Sequence, residues 1–292
     1  MFEGVLIRAY GGFYYVKKGD EIWQCTLRGK FRLGKGSAAL VGDRVRVTPV
    51  RGTTGRIDEV LPRKTELFRP PVANIDQAVI VFAVQDPEPN LALLDRFLVL
   101  AENANVSPVV CLNKADLLSG RREHEWLRLY RKIGYPTVIT STKSSEGIDE
   151  LRQLLVGKTS VFAGPSGVGK SSLLNAVQPG LELKTGEISS KLKRGKHTTR
   201  HVELLPLAAG GLVVDSPGFS SLDLPEMEKE DLGYYFPEFA SFTPECKFKG
   251  CLHRHEPQCA VKRAVEQGLI HQDRYKHYLN FLEEVMQQER RY

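Results

Sequence analysis

The sequence predicts an α/β domain, with an all-β barrel before it and a mostly helical, metal-binding segment after it. Three observations carry this. Residues 164–172 read Gly-Pro-Ser-Gly-Val-Gly-Lys-Ser-Ser, a glycine-rich turn between a short apolar run and a helical stretch. Residues 1–60 are short β-branched and aromatic runs broken by Gly and Asp, with no helical period. Cys246, Cys251, His253, His255 and Cys259 crowd into one short stretch near the C-terminus.

Composition sets the outer limits. A chain of 292 residues has room for roughly two domains. A hydrophobic fraction of 41% is enough to bury a sizeable core. No run approaches the 18 or so apolar residues of a membrane span, and Met1-Phe2-Glu3-Gly4 lacks the basic-then-apolar pattern of a secretion signal. The expectation is a soluble, cytoplasmic protein without a membrane partner. Charge is informative once divided: residues 1–69 hold 14 Lys/Arg against 7 Asp/Glu, whereas the remaining 223 hold 27 against 28. A basic excess confined to the first quarter favours a polyanion, most simply RNA.

In chain order, residues 5–8, 13–17, 22–27, 45–50 and 56–60 are strand candidates. Five short strands suit a small barrel of the OB-fold kind. The stretch Arg28 to Lys35 interleaves charge with Phe31 and suits phosphates plus one stacked base. Residues 61–76, with Arg69-Pro70-Pro71, read as a linker. From Gln77 the character changes. Residues 78–84 are a continuous apolar run, as in a strand buried on both faces. Residues 91–104 are helical, with Leu94, Phe97, Leu98 and Ala101 on one face. Strands follow at 109–112, 137–140, 160–163, 202–207 and 212–214, and helices at 121–133, 148–155 and 171–177. Cys25 and Cys111 fall within strands and read as core. The predicted division is a barrel at 1–68, an α/β domain at 69–225 and a helical segment at 226–292.

The glycine-rich turn fits the pattern GxxxxGK[ST]. Gly164, Gly167 and Gly169 let the backbone around Pro165, Ser166 and Val168 bend so that successive N–H groups point at phosphate oxygens. The helix entered at Ser171 and Ser172 aims its positive end at the same anion. Lys170 reaches the β- and γ-phosphates, and the Ser171 hydroxyl ligates Mg²⁺.

The strand at 109–112 runs into Asn113-Lys114-Ala115-Asp116, the pattern NKxD. A carboxylate has only acceptors, and guanine offers two adjacent donors, so Asp116 pairs with it bidentately. Adenine would leave that carboxylate unpaired, which excludes ATP. The stem of Lys114 covers the base, and Asn113 braces the neighbouring loops. Ser141-Thr142-Lys143 stands where a backbone N–H meets guanine O6. Asp215-Ser216-Pro217-Gly218 matches DxxG: Asp215 holds Mg²⁺ through water, and the Gly218 N–H senses the γ-phosphate. Within residues 195–200 (Gly-Lys-His-Thr-Thr-Arg), Thr199 is the preferred ligand of Mg²⁺. Phe219 stands where Ras-like enzymes carry a water-orienting Gln, so hydrolysis should be slow, and His197 is the nearest group to align water. Lys170 and Thr199 complete the catalytic set.

These elements are out of the usual order. Ras-like chains run phosphate loop, threonine loop, DxxG, NKxD and then the guanine loop; here NKxD and Ser-Thr-Lys come first. The site can still assemble if the chain has been cut and rejoined within one sheet, because domain termini often lie close together. DxxG then feeds directly into the C-terminal segment. Two rival readings are a GTP-sensing RNA-binding module without significant hydrolysis, and an ATP-dependent phosphate-loop enzyme in which Asp116 is unrelated to the base.

Cys246, Cys251, His253 and Cys259 follow C-x₄-C-x-H-x₅-C, which suits tetrahedral Zn²⁺ in a closed structural site; His255 is a possible substitute for His253. Residues 260–266 and 272–290 are helical. The second carries Tyr275, Tyr278, Leu279, Leu282, Val285 and Met286 as a core stripe, with Arg274, Lys276, Arg290 and Arg291 available for RNA.

Together the barrel, the permuted motif order, Gly-Lys-His-Thr-Thr-Arg-His, Asp-Ser-Pro-Gly-Phe and the Cys/His knuckle closely resemble the bacterial circularly permuted, ribosome small-subunit-dependent GTPase A family. The resemblance spans essentially the whole chain. It implies an OB-fold, a GTPase domain and a zinc-binding domain. It also implies late maturation of the small ribosomal subunit, with binding to its rRNA and subunit-stimulated, intrinsically weak turnover of GTP to GDP; the expected state of the chain is a monomer. By motif match it makes His197 the catalytic histidine and Cys246, Cys251, His253 and Cys259 the zinc ligands.

Overall fold

The computed structural model describes residues 1–28, 39–68, 70–118, 125–180, 202–215 and 222–289. His197, Thr199, Gly218, Phe219, Arg290, Arg291 and nearly all of the stretch from Arg28 to Lys35 lie outside the described residues.

All five N-terminal strands are present: β1 (Phe2–Tyr10), β2 (Phe13–Lys18), β3 (Glu21–Leu27), β4 (Arg44–Arg51) and β5 (Thr54–Val60). They pair in the order β1-β2-β3-β5-β4, and β4 returns to β1, so the sheet closes on itself. Only the β3–β5 pairing is parallel. This is a five-stranded barrel of the OB kind. Period-2 alternation points Trp23, Cys25 and Leu27 of β3 and Val45 and Val47 of β4 into a core shared with Leu6, Val16 and Ile57. Cys25 is core, and burial pushes its thiol up to about 11.

The stretch read as a linker contains a two-stranded ribbon, β6 (Glu66–Phe68) with β7 (Pro71–Ala73). Pro70 and Pro71 read as strand breakers in the sequence, which hid the short runs on either side. Arg63 ties the ribbon to the barrel, with its guanidinium 2.7 and 2.9 Å from the buried Asp43 carboxylate and 2.8 Å from Glu66.

The α/β part holds β8 (Gln77–Ala83), β9 (Ser107–Asn113), β10 (Thr137–Ile139), β11 (Thr159–Ala163), β12 (Glu203–Pro206) and β13 (Leu212–Asp215). Their spatial order is β10-β9-β8-β11-β13-β12. Every residue of β8 is buried, as its unbroken apolar run requires. Helices cover both faces. On one lie α1 (Leu91–Asn103) and α2 (Glu125–Ile133), through Leu94, Phe97, Leu98, Leu127 and Tyr130. On the other lie α3 (Ile148–Leu155) and α4 (Lys170–Val177), through Ile148, Leu151, Leu155, Leu173, Leu174 and Val177. From β8 the chain proceeds outward to β9 and β10, then restarts at β11 on the other side of β8. The reversal between β8 and β11 is a topological switch point, the place where such sheets open a crevice at their carboxyl ends.

The barrel and this sheet are one hydrogen-bonded surface of 11 strands, joined where Arg8 of β1 pairs antiparallel with Glu203 of β12. The same two side chains form an ion pair at 3.3 Å.

The C-terminal segment contains three short 3₁₀ turns between Leu232 and Glu245, then α5 (Ala260–Glu266) and α6 (Gln272–Glu289). Its core joins Leu224, Leu232, Phe236 and Phe239 to Tyr278, Phe281, Leu282 and Val285 of α6, and Val99 of α1 enters the same cluster. Helix α1 is therefore buried on two sides. One expectation is corrected here. Arg274 does not face RNA: it is 1% exposed, and its guanidinium binds Asp95 at 2.6 Å and Glu238 at 2.6 and 2.9 Å. Burial opposes its charge, but the two carboxylates more than offset this and hold it protonated beyond the ordinary arginine value. Among the described residues, no helix is long and apolar enough to cross a membrane.

Candidate nucleotide site and metal centre

The glycine-rich turn leaves β11 at Ala163 and enters α4 at Lys170. Two of its glycines are geometrically required. Gly164 has φ +132°, and a Cβ there would sit 2.1 Å from the Val81 carbonyl of β8. Gly169 has φ +93°, and a Cβ there would sit 2.5 Å from Asn113 Nδ2. Between them run Pro165, Ser166, Gly167 and the fully buried Val168. Among the described residues no side chain caps α4, so the first N–H groups, at Lys170, Ser171 and Ser172, are open to another acceptor. Lys170 Nζ donates to the carbonyls of Gly164 at 2.8 Å and Pro165 at 2.7 Å. Burial holds its ammonium below the ordinary lysine range. A desolvated cation whose described partners are neutral carbonyls is a ready receptor for a phosphate.

β9 ends at Asn113, level with Ala83 of β8. Two strands over, the phosphate turn begins, so the two motifs stand side by side at about 10 Å. They touch: Asn113 Nδ2 donates to the Val168 carbonyl at 2.7 Å. Thr140 Oγ1 in turn donates to Asn113 Oδ1 at 3.0 Å, which fixes the amide orientation. Cys111 lies beyond, 3.4 Å from Thr140 Oγ1; it is core as expected, and burial pushes its thiol up to about 12. Lys114 adopts a left-handed backbone (φ +62°) that turns the chain into one turn of 3₁₀ helix containing Ala115 and Asp116. Ser141 Oγ donates to Asp116 Oδ1 at 2.7 Å, and Lys143 Nζ lies 3.4 Å from Oδ2. These two, the serine foremost, hold the Asp116 carboxyl below its ordinary range. The Lys143 and Ser144 N–H groups both reach Ser141 Oγ at 3.2 Å, so the loop is wound around that hydroxyl, and Thr142 is exposed at its tip. Asp215 ends β13, one strand beyond β11, and burial raises its carboxyl, the direction a nearby cation would reverse.

Sequence reasoning missed three participants. The Asp86 carbonyl accepts the Lys114 ammonium, and a Cβ on Gly167 would lie 3.8 Å from Pro87 Cδ. Thr140 is the third. The loop after β8 lies at the switch point, which was the signal available for it.

In the C-terminal segment Cys246, Cys251, His253 and Cys259 place their ligand atoms within 4.8 Å of one another. Cys246 Sγ lies 3.9 Å from Cys259 Sγ and 3.7 Å from His253 Nδ1, and His253 Nδ1 lies 3.3 Å from Cys259 Sγ. Tetrahedral zinc with bonds near 2.3 Å to sulfur and 2.0 Å to nitrogen requires separations of about 3.5–3.8 Å. Three sulfurs and one imidazole at this spacing fit Zn²⁺ and leave no open position. Of the two histidines, His253 is in the cluster and His255 is exposed outside it. The loop between them is held by Glu256, whose carboxylate accepts N–H groups from Leu252, Arg254 and His255. Tyr275 and Tyr278 of α6 donate to the His253 and Leu252 carbonyls at 2.6 and 2.8 Å.

Sheet order and motif placement define a circularly permuted phosphate-loop GTPase with a barrel in front and a Cys₃His knuckle behind. The chain belongs to the RsgA GTPase family, whose model matches residues 60–225, with the RsgA N-terminal domain matching residues 3–57. The small ribosomal subunit biogenesis GTPase RsgA of Moorella thermoacetica is 54% identical over 289 residues, covering 99% of both chains. That of Geobacillus thermodenitrificans is 52% identical over 295 residues and covers both chains fully. The crystal structure of YjeQ from Thermotoga maritima superposes with a TM-score of 0.84 at 41% identity, over 97% of this chain and 98% of that one. YloQ, described as a circularly permuted GTPase, gives 0.83 at 43% identity, over 98% and 95%.

Proposed function

We propose that this chain binds GTP across the crevice between β8, β9 and β11 and hydrolyses it in concert with the small ribosomal subunit, whose biogenesis gives its relatives their name. The observation that carries the reading is the Asn113–Val168 hydrogen bond, which joins the base motif to the phosphate turn despite their reversed succession in the chain. Asp116 takes guanine N1–H and the exocyclic amine, the Lys114 stem covers the base, and the Ser141-Thr142-Lys143 loop offers an N–H to O6. Residues 164–172 and Lys170 cradle the phosphates. Ser171, Asp215 and Thr199 would hold Mg²⁺, which supplies neutralisation of developing phosphate charge. Gly218 senses the γ-phosphate and His197 aligns water, with Lys170 and Thr199 assisting. The working division is barrel 1–68, GTPase domain 69–225 and zinc-binding segment 226–292, acting as a cytoplasmic monomer on rRNA.

The test is phosphate release from GTP with and without purified small subunits. Addition of subunits should raise turnover, and excess ATP should fail to compete. Release that is indifferent to subunits would remove the proposed partner. Competition by ATP at equal concentration would remove the guanine assignment.

A further inference from the structure

Helix α1 carries a side chain that the nucleotide motifs do not account for. Arg96 Nη1 and Nη2 donate to Glu284 Oε1 and Oε2 of α6 at 2.8 and 2.6 Å. Nη1 also donates to the Leu222 carbonyl at 3.1 Å, and the guanidinium lies 4.7 Å from the Phe281 ring centroid. Such a set needs a planar fork. A lysine ammonium can meet the carboxylate but cannot grip it with two parallel bonds while a further proton serves the carbonyl.

The place of Leu222 in the chain gives this grip its meaning. Leu222 comes four residues after Gly218. Four residues reach at most about 14 Å, so a fixed Leu222 limits how far the chain can carry Gly218. The helix is also anchored at its N-terminus, six residues before Arg96. Asn90 caps it by accepting the Leu93 N–H at 3.0 Å, immediately after the loop whose Asp86 carbonyl receives Lys114. The first two turns of one helix therefore link the base-reading side of the site to Leu222, in the chain that leaves DxxG.

We propose that Arg96 is a positioning residue for GTP hydrolysis: from α1 it holds the Leu222 carbonyl, and Glu284 of the C-terminal segment holds Arg96 in place. The zinc-bearing segment thereby takes part in setting the γ-phosphate motif. The inference rests on the assignment of Asp215 and Gly218 made above. Docking of the segment itself does not depend on Arg96, because Arg274 and His277 bind Asp95 at 2.6 Å each and Val99 is buried among the C-terminal side chains.

The test uses the full chain, measuring subunit-stimulated kcat and KM together with Kd for GDP and for a non-hydrolysable GTP analogue. Arg96→Ala should lower kcat about tenfold and weaken the analogue several-fold relative to GDP, the effect of losing one charged hydrogen bond at a site only GTP uses. Arg96→Lys should not restore kcat. The double substitution Arg96→Glu/Glu284→Arg should recover thermal stability but not kcat, because a carboxylate cannot donate to the Leu222 carbonyl. Equal losses of GDP and analogue affinity with a lowered Tm would make Arg96 merely structural and overturn the proposal, as would an unchanged kcat. Asp215→Asn is measured alongside. If it leaves the GTP-to-GDP preference untouched, the underlying γ-phosphate assignment falls; if it acts while Arg96→Ala does not, only the role of Arg96 falls.

Discussion

Asp116 presents two carboxylate oxygens, one accepting from Ser141 at 2.7 Å and the other 3.4 Å from the Lys143 ammonium. Each oxygen keeps a lone pair for guanine, and neither can donate. Asp116→Asn replaces one acceptor with a donor that faces the base's own donors. GTP affinity should fall on the order of 100-fold, the result of one donor–donor mismatch at about 1–3 kcal/mol and the loss of charge from the contact that remains. Xanthosine triphosphate, with a carbonyl where guanine has its amine, should regain most of the loss in a fluorescent-nucleotide titration. Equal affinity of the variant for the two nucleotides would remove Asp116 from base recognition. Asp116, Asn113 and Lys170 were legible in the sequence because their motifs report backbone geometry as well as side-chain chemistry. The Asp86 carbonyl was not, since a main-chain acceptor leaves no mark on residue identity. Arg274 was misread for a different reason: its charge was visible, but Asp95 and Glu238, which neutralise it, come from remote parts of the chain.

At the scale of elements, the knuckle and α5 share one atom. Cys259 Sγ stands among the ligand atoms and also caps α5 by accepting the Lys262 N–H at 3.5 Å. The two roles can be separated. Cys259→Ser keeps a capping oxygen but loses a soft metal donor, whereas Cys259→Ala loses both. Metal content measured by atomic absorption should collapse in both variants. Hydrogen exchange of residues 260–266 should rise further in the alanine variant, by about 1 kcal/mol of lost cap. Chelation of the wild type should reproduce the serine result and spare the strands. Equal exchange in the two variants would show that the cap contributes nothing. The long helices and the five barrel strands were readable from period alone, as was the core stripe of α6, where Tyr278, Leu282 and Val285 are buried. The β6–β7 ribbon and the 3₁₀ turns between Leu232 and Glu245 were not: Pro70 and Pro71 read as breaks where the ribbon lies, and a single 3₁₀ turn does not repeat a face often enough to show.

Across the whole molecule, the permuted order that the sequence shows has its physical basis in the strand positions: motifs inverted along the chain stand side by side because only β8 lies between β9 and β11 in the sheet. The charge excess of the first quarter also changes meaning in three dimensions. Arg44 and Arg46 bind Glu3, Arg46 also binds Glu59, Arg56 binds Asp58, and Arg63 binds Asp43 and Glu66. Four arginines are thus committed to the barrel itself, and most of its acids are used in the process. The field left for a polyanion comes from other positions, Arg51 at the exposed β4–β5 turn among them. Salt dependence measures this directly, because each phosphate contact to single-stranded RNA adds about 0.7 to the slope of log K against log salt. Arg51→Gln should reduce that slope by nearly one contact when the chain is titrated with small-subunit RNA. Arg46→Gln, which removes a cation already facing Glu3 and Glu59, should leave the slope unchanged. If Arg46→Gln lowers the slope and Arg51→Gln does not, the paired face of the barrel is the one that meets RNA, and the internal ion pairs must open on binding.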